Sequence, residues 1–207
     1  MQLLIASGNP GKLREFRAMA LQYASSAAPD GASIEIDLLP NFSQLPPFDE
    51  SAPTFAENAA GKALHYSRYA DLPVFADDSG LAVDALGGAP GVHSARYAGA
   101  DASDADRVAK LLAELRATGS GDRRARFVCV LALARQGRIL AVFSDAVEGE
   151  ITDAPRGAGG FGYDPVFLVP ALGKTFAEIP AESKGLYSHR GKAFRKLLAY
   201  VAANPLR

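Results

Sequence analysis

The sequence predicts an α/β domain organised around a mixed β-sheet. Strand-like and helix-like segments alternate along the chain, and no segment recurs as an internal repeat. Two apolar runs joined by a tight turn also have the composition of strands buried on both faces.

The first element is an apolar run at residues 2–6 that ends in Ser7-Gly8-Asn9-Pro10-Gly11. Leu13, Phe16, Ala20 and Tyr23 then recur at helical spacing, giving strand, turn, helix. Residues 24–33, rich in Ala, Ser, Pro and Gly, read as a loop, followed by a strand over 34–39 and a proline-rich loop to Pro53. Thr54 and Glu57 have the spacing of a capping box, which opens a helix running to about Ala70. A short strand at 73–76 leads into Asp77-Asp78-Ser79-Gly80, expected as a turn at a strand end. Beyond the glycine-rich residues 87–99, Ser103 is placed to cap a helix carrying Val108, Leu111, Leu112 and Leu115, closed by Thr118-Gly119. The apolar runs 126–134 and 139–147 flank Arg135-Gln136-Gly137-Arg138 and are expected as antiparallel strands central in the sheet. Residues 154–162 form another glycine-rich loop, and a last helix presents Phe194, Leu197, Leu198 and Val201 on one face.

With 207 residues, 48% of them apolar, the chain can bury one good core, and residues 1–207 are read as a single domain. Twenty-two basic against 23 acidic residues leave a net charge of -1, so there is no electrostatic footprint for nucleic acid or an anionic membrane. Any bound anion must be held by local groups. Cys129 is the single cysteine and lies in an apolar run, where it is expected to pack as a small hydrophobe. The N-terminus has no basic leader region and no apolar run approaches membrane-spanning length, so a cytoplasmic protein is expected.

Several segments can carry chemistry. Ser7, Gly8, Asn9, Pro10, Gly11 and Lys12 join a strand to a helix, where backbone amides and the helix dipole suit a phosphate and Lys12 adds a point charge. An ordinary βα turn with a solvated lysine fits the same residues. Asp77 and Asp78 offer hard oxygens to Mg²⁺ or a base for water, or else form a solvated acidic turn, and the tetrapeptide does not say which aspartate would react. Glu50 is a possible second metal oxygen or a surface glutamate, while Glu57 has a structural task in the capping box. Lys62 falls toward the Phe55 and Ala59 side of its helix, where a lysine needs an anion or water at its head. Phe161, Gly162, Tyr163 and Asp164 combine backbone freedom, two aromatic faces and a carboxylate, which suits stacking on a base while bonding its edge, or a glycine hinge with core aromatics. Lys184, His189 and Arg190 lie before and at the start of the final helix, with Ser188 as its natural cap.

Taken in order, Ser-Gly-Asn-Pro-Gly-Lys at 7–12, Thr-Phe-Ala-Glu-Asn-Ala at 54–59 with Lys62-Ala63, and Ala-Asp-Asp-Ser-Gly-Leu at 76–81 resemble the inosine triphosphate pyrophosphatase family. Leu-Gly-Gly-Ala-Pro-Gly-Val-His-Ser-Ala-Arg-Tyr at 86–97, Gly-Gly-Phe-Gly-Tyr-Asp-Pro-Val-Phe at 159–167 and Ser-His-Arg-Gly-Lys-Ala at 188–193 extend the resemblance over nearly the whole chain. It implies an elongated two-lobed α/β protein with a long mixed sheet and flanking helices, the active site in the inter-lobe cleft, and a homodimer. The implied reaction is Mg²⁺-dependent hydrolysis of ITP, dITP or XTP to the monophosphate and pyrophosphate. By position, the resemblance makes Asp78 the general base and a metal ligand, with Glu50 a second ligand. Ser79 would touch substrate, and Lys12 and Lys62 would hold the triphosphate. Phe161, Gly162, Tyr163, Asp164, Lys184, His189 and Arg190 would read the base. A Maf-type pyrophosphatase is the nearest enzymatic alternative, but residues 7–12 do not resemble its arginine-rich N-terminal motif. A nucleotide-binding module without hydrolysis is the other, and turnover of ITP separates it.

Overall fold

The computed structural model describes residues 1–26 and 34–204. The elements follow the expected alternation: strand β1 (Gln2–Ile5), helix α1 (Pro10–Ser26), β2 (Glu35–Leu38), α2 (Phe55–Tyr66), β3 (Val74–Val83) and α3 (Asp104–Ala117), then β4 (Arg124–Arg135), β5 (Arg138–Ile151), β6 (Phe167–Val169), β7 (Lys174–Thr175), α4 (Ala181–Tyr187) and α5 (His189–Ala203). The seven strands form one mixed sheet in the order β2-β1-β3-β4-β5-β6-β7. β1 runs parallel to both β2 and β3, whereas β6 is antiparallel to β5 and to β7. None of the described helices is long and apolar enough to cross a membrane.

Contacts divide the chain into two compact units, the first comprising 1–78, 129–145 and 190–207 and the second 79–128 and 146–189. In the first unit the two-residue period of the strands sorts side chains between two cores. Phe75 of β3 with Cys129, Leu131 and Leu133 of β4 packs against Phe16 of α1 and Phe194, Leu197 and Leu198 of α5. On the opposite face, Val74 and Ala76 of β3 with Val130, Ala132 and Ala134 of β4 pack against Ala59, Ala63 and Tyr66 of α2. The second unit has one core, in which Val108, Leu111, Leu112 and Leu115 of α3 meet Leu81, Val83, Phe127, Val147 and Phe167 from the strands.

Caps account for several boundaries. Thr54 Oγ1 accepts the Glu57 N–H at 3.1 Å and starts α2, but Glu57 takes its return bond from the Thr54 hydroxyl at 2.7 Å, so only half of the expected box forms. Helix α2 stops at Tyr66, short of Ala70, and a 3₁₀ turn over Ser67–Tyr69 completes the segment. Ser103 and Asp106 form a complete capping box on α3. Gln136 and Gly137 both have positive φ, 49° and 76°, the geometry of a tight hairpin turn between β4 and β5.

Other boundaries differ from the sequence expectation. Helix α1 continues through Ala24 to Ser26, and residues 27–33 of the expected loop lie outside the described residues. Asp77-Asp78-Ser79-Gly80 is not a turn: β3 runs straight through it, because the apolar run resumes at Leu81, Ala82 and Val83 and pairing overrides weak local propensity. β4 is central as expected, but Ile139 and Val142 of β5 are exposed. On β5, β6 pairs with Glu150 and Ile151, which leaves the first part of β5 without that neighbour. Helix α4, which carries Lys184, occupies a segment expected as loop.

Candidate active site

The parallel register of β1 and β3 positions the first group of residues. Ile5 pairs with Phe75, and Ala6 N–H donates to Phe75 O at 2.9 Å, so the turn beginning at Ser7 leaves the sheet level with Asp77. Strand ends in parallel sheets are where α/β proteins assemble ligand sites. Ser7 Oγ accepts the Asn9 N–H at 3.2 Å, and Asn9 Oδ1 accepts the N–H groups of Gly11 at 2.8 Å and Lys12 at 3.3 Å. Asn9 therefore caps α1 with its carboxamide, a task the motif alone did not reveal. The cap fixes the first turn of the helix, and with it the direction in which Lys12 extends.

Adjacent strand residues face opposite sides of the sheet, and Asp77 and Asp78 inherit opposite environments from that rule. Asp77, sharing a face with Phe75, accepts Lys12 Nζ at 2.7 Å and Arg190 Nε at 2.8 Å. The Cys129 thiol donates to the same carboxylate at 3.8 Å, so Cys129 is more than the expected small hydrophobe. Burial alone would raise the Asp77 pKa, but the Lys12 and Arg190 charges outweigh it and hold the carboxyl far below the usual range. Arg190 is likewise buried, and its Nη1 meets Glu15 Oε2 at 2.6 Å.

Asp78 shares the α2 face, where the side chain of Asn58 favours the charged form of its carboxyl. Asn58 is itself buried and held by the Ala52 backbone, accepting from its N–H at 3.0 Å and donating to its carbonyl at 3.3 Å. The second oxygen of Asp78, Oδ2, is buried and accepts no hydrogen bond among the described residues. Burial raises the Asp78 pKa to about 6, helped by the nearby charges of Glu50 and Asp77 and opposed by Asn58 and Lys12. Lys62, buried on α2 as its position suggested, is ion-paired to Glu50. Among the sequence candidates of this unit, the residues brought together are thus Lys12 with Asp77 and Arg190, Lys62 with Glu50, and Asp78 within the field of both groups. Asn58 and Glu15 join them without a sequence signal beyond the quoted motifs.

In the second unit, Lys184 and Asp164 form a buried pair at 2.6 Å. Asp164 Oδ2 also accepts the Phe161 N–H at 2.8 Å, and Lys184 Nζ lies 4.9 Å from the Phe161 ring centre and 5.7 Å from that of Phe176. A Cβ on Gly160, whose φ is +72°, would run into the Asp164 carboxylate, so this approach requires glycine. Gly162 N–H donates to Asp104 Oδ2 at 2.7 Å, tying the loop to the start of α3. The His189 ring stacks on Phe127 at 4.7 Å with an interplanar angle of 7°. Tyr163 is buried and its hydroxyl donates to the Ser94 carbonyl at 2.9 Å, so the structure places it in the core rather than beside the Phe161 ring as an open stacking face. Ser79 is half-buried in mid-strand.

Residues 3–200 match the model of the Ham1 family. The chain is 50% identical to a dITP/XTP pyrophosphatase of Geobacillus kaustophilus over 196 residues, covering 95% of this chain and 92% of that protein. It is 48% identical to a dITP/XTP pyrophosphatase of Thermus thermophilus over 208 residues, covering 100% and 95% of the two chains. Among solved structures it is similar to a HAM1 protein from Coxiella burnetii, with 40% identity, a TM-score of 0.85, and coverage of 98% and 99%.

The environment of Asp78 has a consequence for stability. The folded protein binds the Asp78 proton more tightly than the unfolded chain does, so charging this carboxyl costs stability. The cost is absent below the ordinary carboxylate pKa, grows as pH rises, and is complete above about 6, where it amounts to roughly 3 kcal/mol. In the presence of a chelator, Asp78→Asn is expected to melt roughly 5 °C or more above the unsubstituted protein at pH 8, the gap closing toward pH 4. Equal melting temperatures at pH 8 would show that Asp78 is not held in this environment.

Proposed function

Since this chain belongs to the Ham1 family, we propose that it is a dITP/XTP pyrophosphatase that hydrolyses dITP, ITP and XTP to the monophosphate and pyrophosphate, with residues 1–207 acting as one catalytic domain. The observation that carries the reading is the buried Asp78 carboxylate, whose Oδ2 accepts no hydrogen bond among the described residues, in the field of Lys12 and of Glu50, which in turn pairs with Lys62. A triphosphate brings about four negative charges to a chain with no global positive field, so these local cations are what can receive it.

In the reaction, Asp78 accepts a proton from water as its oxygen bonds to the α-phosphorus. The bond from that phosphorus to the bridging oxygen breaks, and pyrophosphate leaves with the electron pair. Lys12 and Lys62 meet the charge that develops on the phosphate oxygens. The donor set also fits Mg²⁺: a buried carboxylate oxygen without a partner on Asp78 and a second carboxylate, Glu50, close enough to perturb it are hard oxygen ligands of the kind this ion takes in ones and twos. Asp78 and Glu50 would hold the ion, which when bound supplies charge neutralisation at the phosphates.

Base selection belongs to the second unit in this reading. Lys184 and His189 offer donors that suit the 6-oxo group of hypoxanthine or xanthine, with Phe161 supplying an apolar face. Adenine places its 6-amino donor against donors, and guanine adds a 2-amino group that must find an acceptor. By the same resemblance we propose a homodimer resident in the cytoplasm.

Pyrophosphate release from dITP and XTP should exceed that from dATP and dGTP by about a hundredfold in kcat/KM. Comparable turnover of dATP or dGTP would overturn the assignment, and no turnover of any nucleotide would leave a binding module. Asp78→Asn should lower kcat by roughly a hundredfold to ten-thousandfold while the protein stays folded. Lys12→Ala and Lys62→Ala should each cost about 2 kcal/mol of transition-state stabilisation. Unchanged kcat/KM in either lysine variant would return that lysine to a purely structural role.

A further inference from the structure

Four charged side chains in the first unit form a continuous ion-paired chain. Glu15 and Lys12 lie one turn apart on α1, Arg190 lies in the first turn of α5, and Asp77 belongs to β3. The links run from Glu15 Oε2 to Arg190 Nη1 at 2.6 Å, from Arg190 Nε to Asp77 Oδ2 at 2.8 Å, and from Asp77 Oδ1 to Lys12 Nζ at 2.7 Å. The two inner members, Arg190 and Asp77, are almost entirely shielded from solvent, whereas Lys12 and Glu15 at the ends retain side-chain exposures of 17% and 19%. The two positive and two negative charges sum to zero, which is what permits such a chain in the interior.

The geometry makes each position depend on the next. A carboxylate in mid-strand cannot by itself fix an ammonium carried on four methylenes, because Lys side chains are flexible and their charge is a point rather than a fork. Asp77 can do so here because its other oxygen is anchored by the planar guanidinium of Arg190. Arg190 in turn is oriented by two carboxylates, one at Nε and one at Nη1. Without Glu15 the guanidinium would have one anchor fewer, and more of the balance for Arg190 and Lys12 would fall on Asp77. We propose that Glu15 is a positioning residue for the pyrophosphatase reaction, holding Arg190 so that Asp77 presents the Lys12 ammonium to the phosphates. This rests on the reading of Lys12 as a phosphate ligand given above. Arg190 belongs to the same relay.

The test is a kinetic cycle on dITP with full-length protein: Glu15→Gln and Glu15→Asp, each alone and combined with Lys12→Ala, with a melting curve for every variant. Glu15→Gln should lower kcat/KM about tenfold in the otherwise unsubstituted protein and less than twofold when Lys12 is already Ala, because a residue acting through Lys12 has nothing left to position. Glu15→Asp keeps the charge and should lose only about threefold, again only when Lys12 is present. A residue that merely fills space gives the reverse order, since Gln matches Glu in shape and Asp does not. Equal losses in both backgrounds, or no loss from Glu15→Gln, would overturn the proposal while leaving Lys12 as a phosphate ligand. A Lys12→Ala variant as active as the unsubstituted protein would overturn the phosphate reading and the relay together. Should Glu15→Gln fail to fold, the Glu15→Asp arm of the cycle decides by the same criterion.

Discussion

A single buried carboxylate, Asp77, organises the first unit. It lies in the middle of β3, and it binds a lysine from α1 and an arginine from α5, so the helices that cover one face of the sheet converge on one strand residue. The desolvation of a charge at such a place is large and is offset only by close, well-directed partners. Lys12 and Arg190 meet that requirement at hydrogen-bond distance, and the Cys129 thiol adds a weak third donor. The hydrophobic core built from Phe16, Phe75 and Phe194 surrounds this polar centre, with Phe16 meeting both other rings edge-on.

The neighbouring Asp78 differs from Asp77 by one residue and by almost everything else. Strand alternation turns it to the α2 face, where the amide of Asn58 favours its charged form and where Glu50 adds a second negative charge. One aspartate is therefore committed to charge and structure, while the other is poised near neutrality with an oxygen to spare. Environments that push two carboxyls apart in this way are how one site obtains a fixed ion and a proton acceptor from the same residue type. In the second unit the Lys184 and Asp164 pair follows the structural pattern of Asp77, with a glycine at 160 keeping the carboxylate in place.

Much of this was legible in the sequence. The order of helices and strands, the Thr54 and Ser103 caps, the Gln136-Gly137 turn and the buried face of α5 all follow from local chemistry that the structure leaves intact. Asp77-Asp78-Ser79-Gly80 is the instructive exception. Its composition is that of a turn, and only pairing with strands distant in sequence keeps it extended, so the assignment of the two carboxylates to opposite faces could not be read locally. Glu15 shows the same limit: on α1 it is an unremarkable acidic residue until α5, 175 positions later, brings Arg190 against it. The short strands β6 and β7 and the helix α4 also escaped, because two to seven residues are too few to display a period.

The central claim is that adjacent aspartates on one strand hold opposite protonation behaviour. Carbon-13 NMR titration of the aspartate carboxyls in chelator-treated protein tests it most directly, with Asp77→Asn and Asp78→Asn used to assign the two signals. One carboxyl should titrate near pH 6 and vanish from the spectrum of Asp78→Asn, while the Asp77 signal stays that of a carboxylate down to the lowest pH at which the protein remains folded. Two signals titrating together near the ordinary value of about 4 would contradict the account.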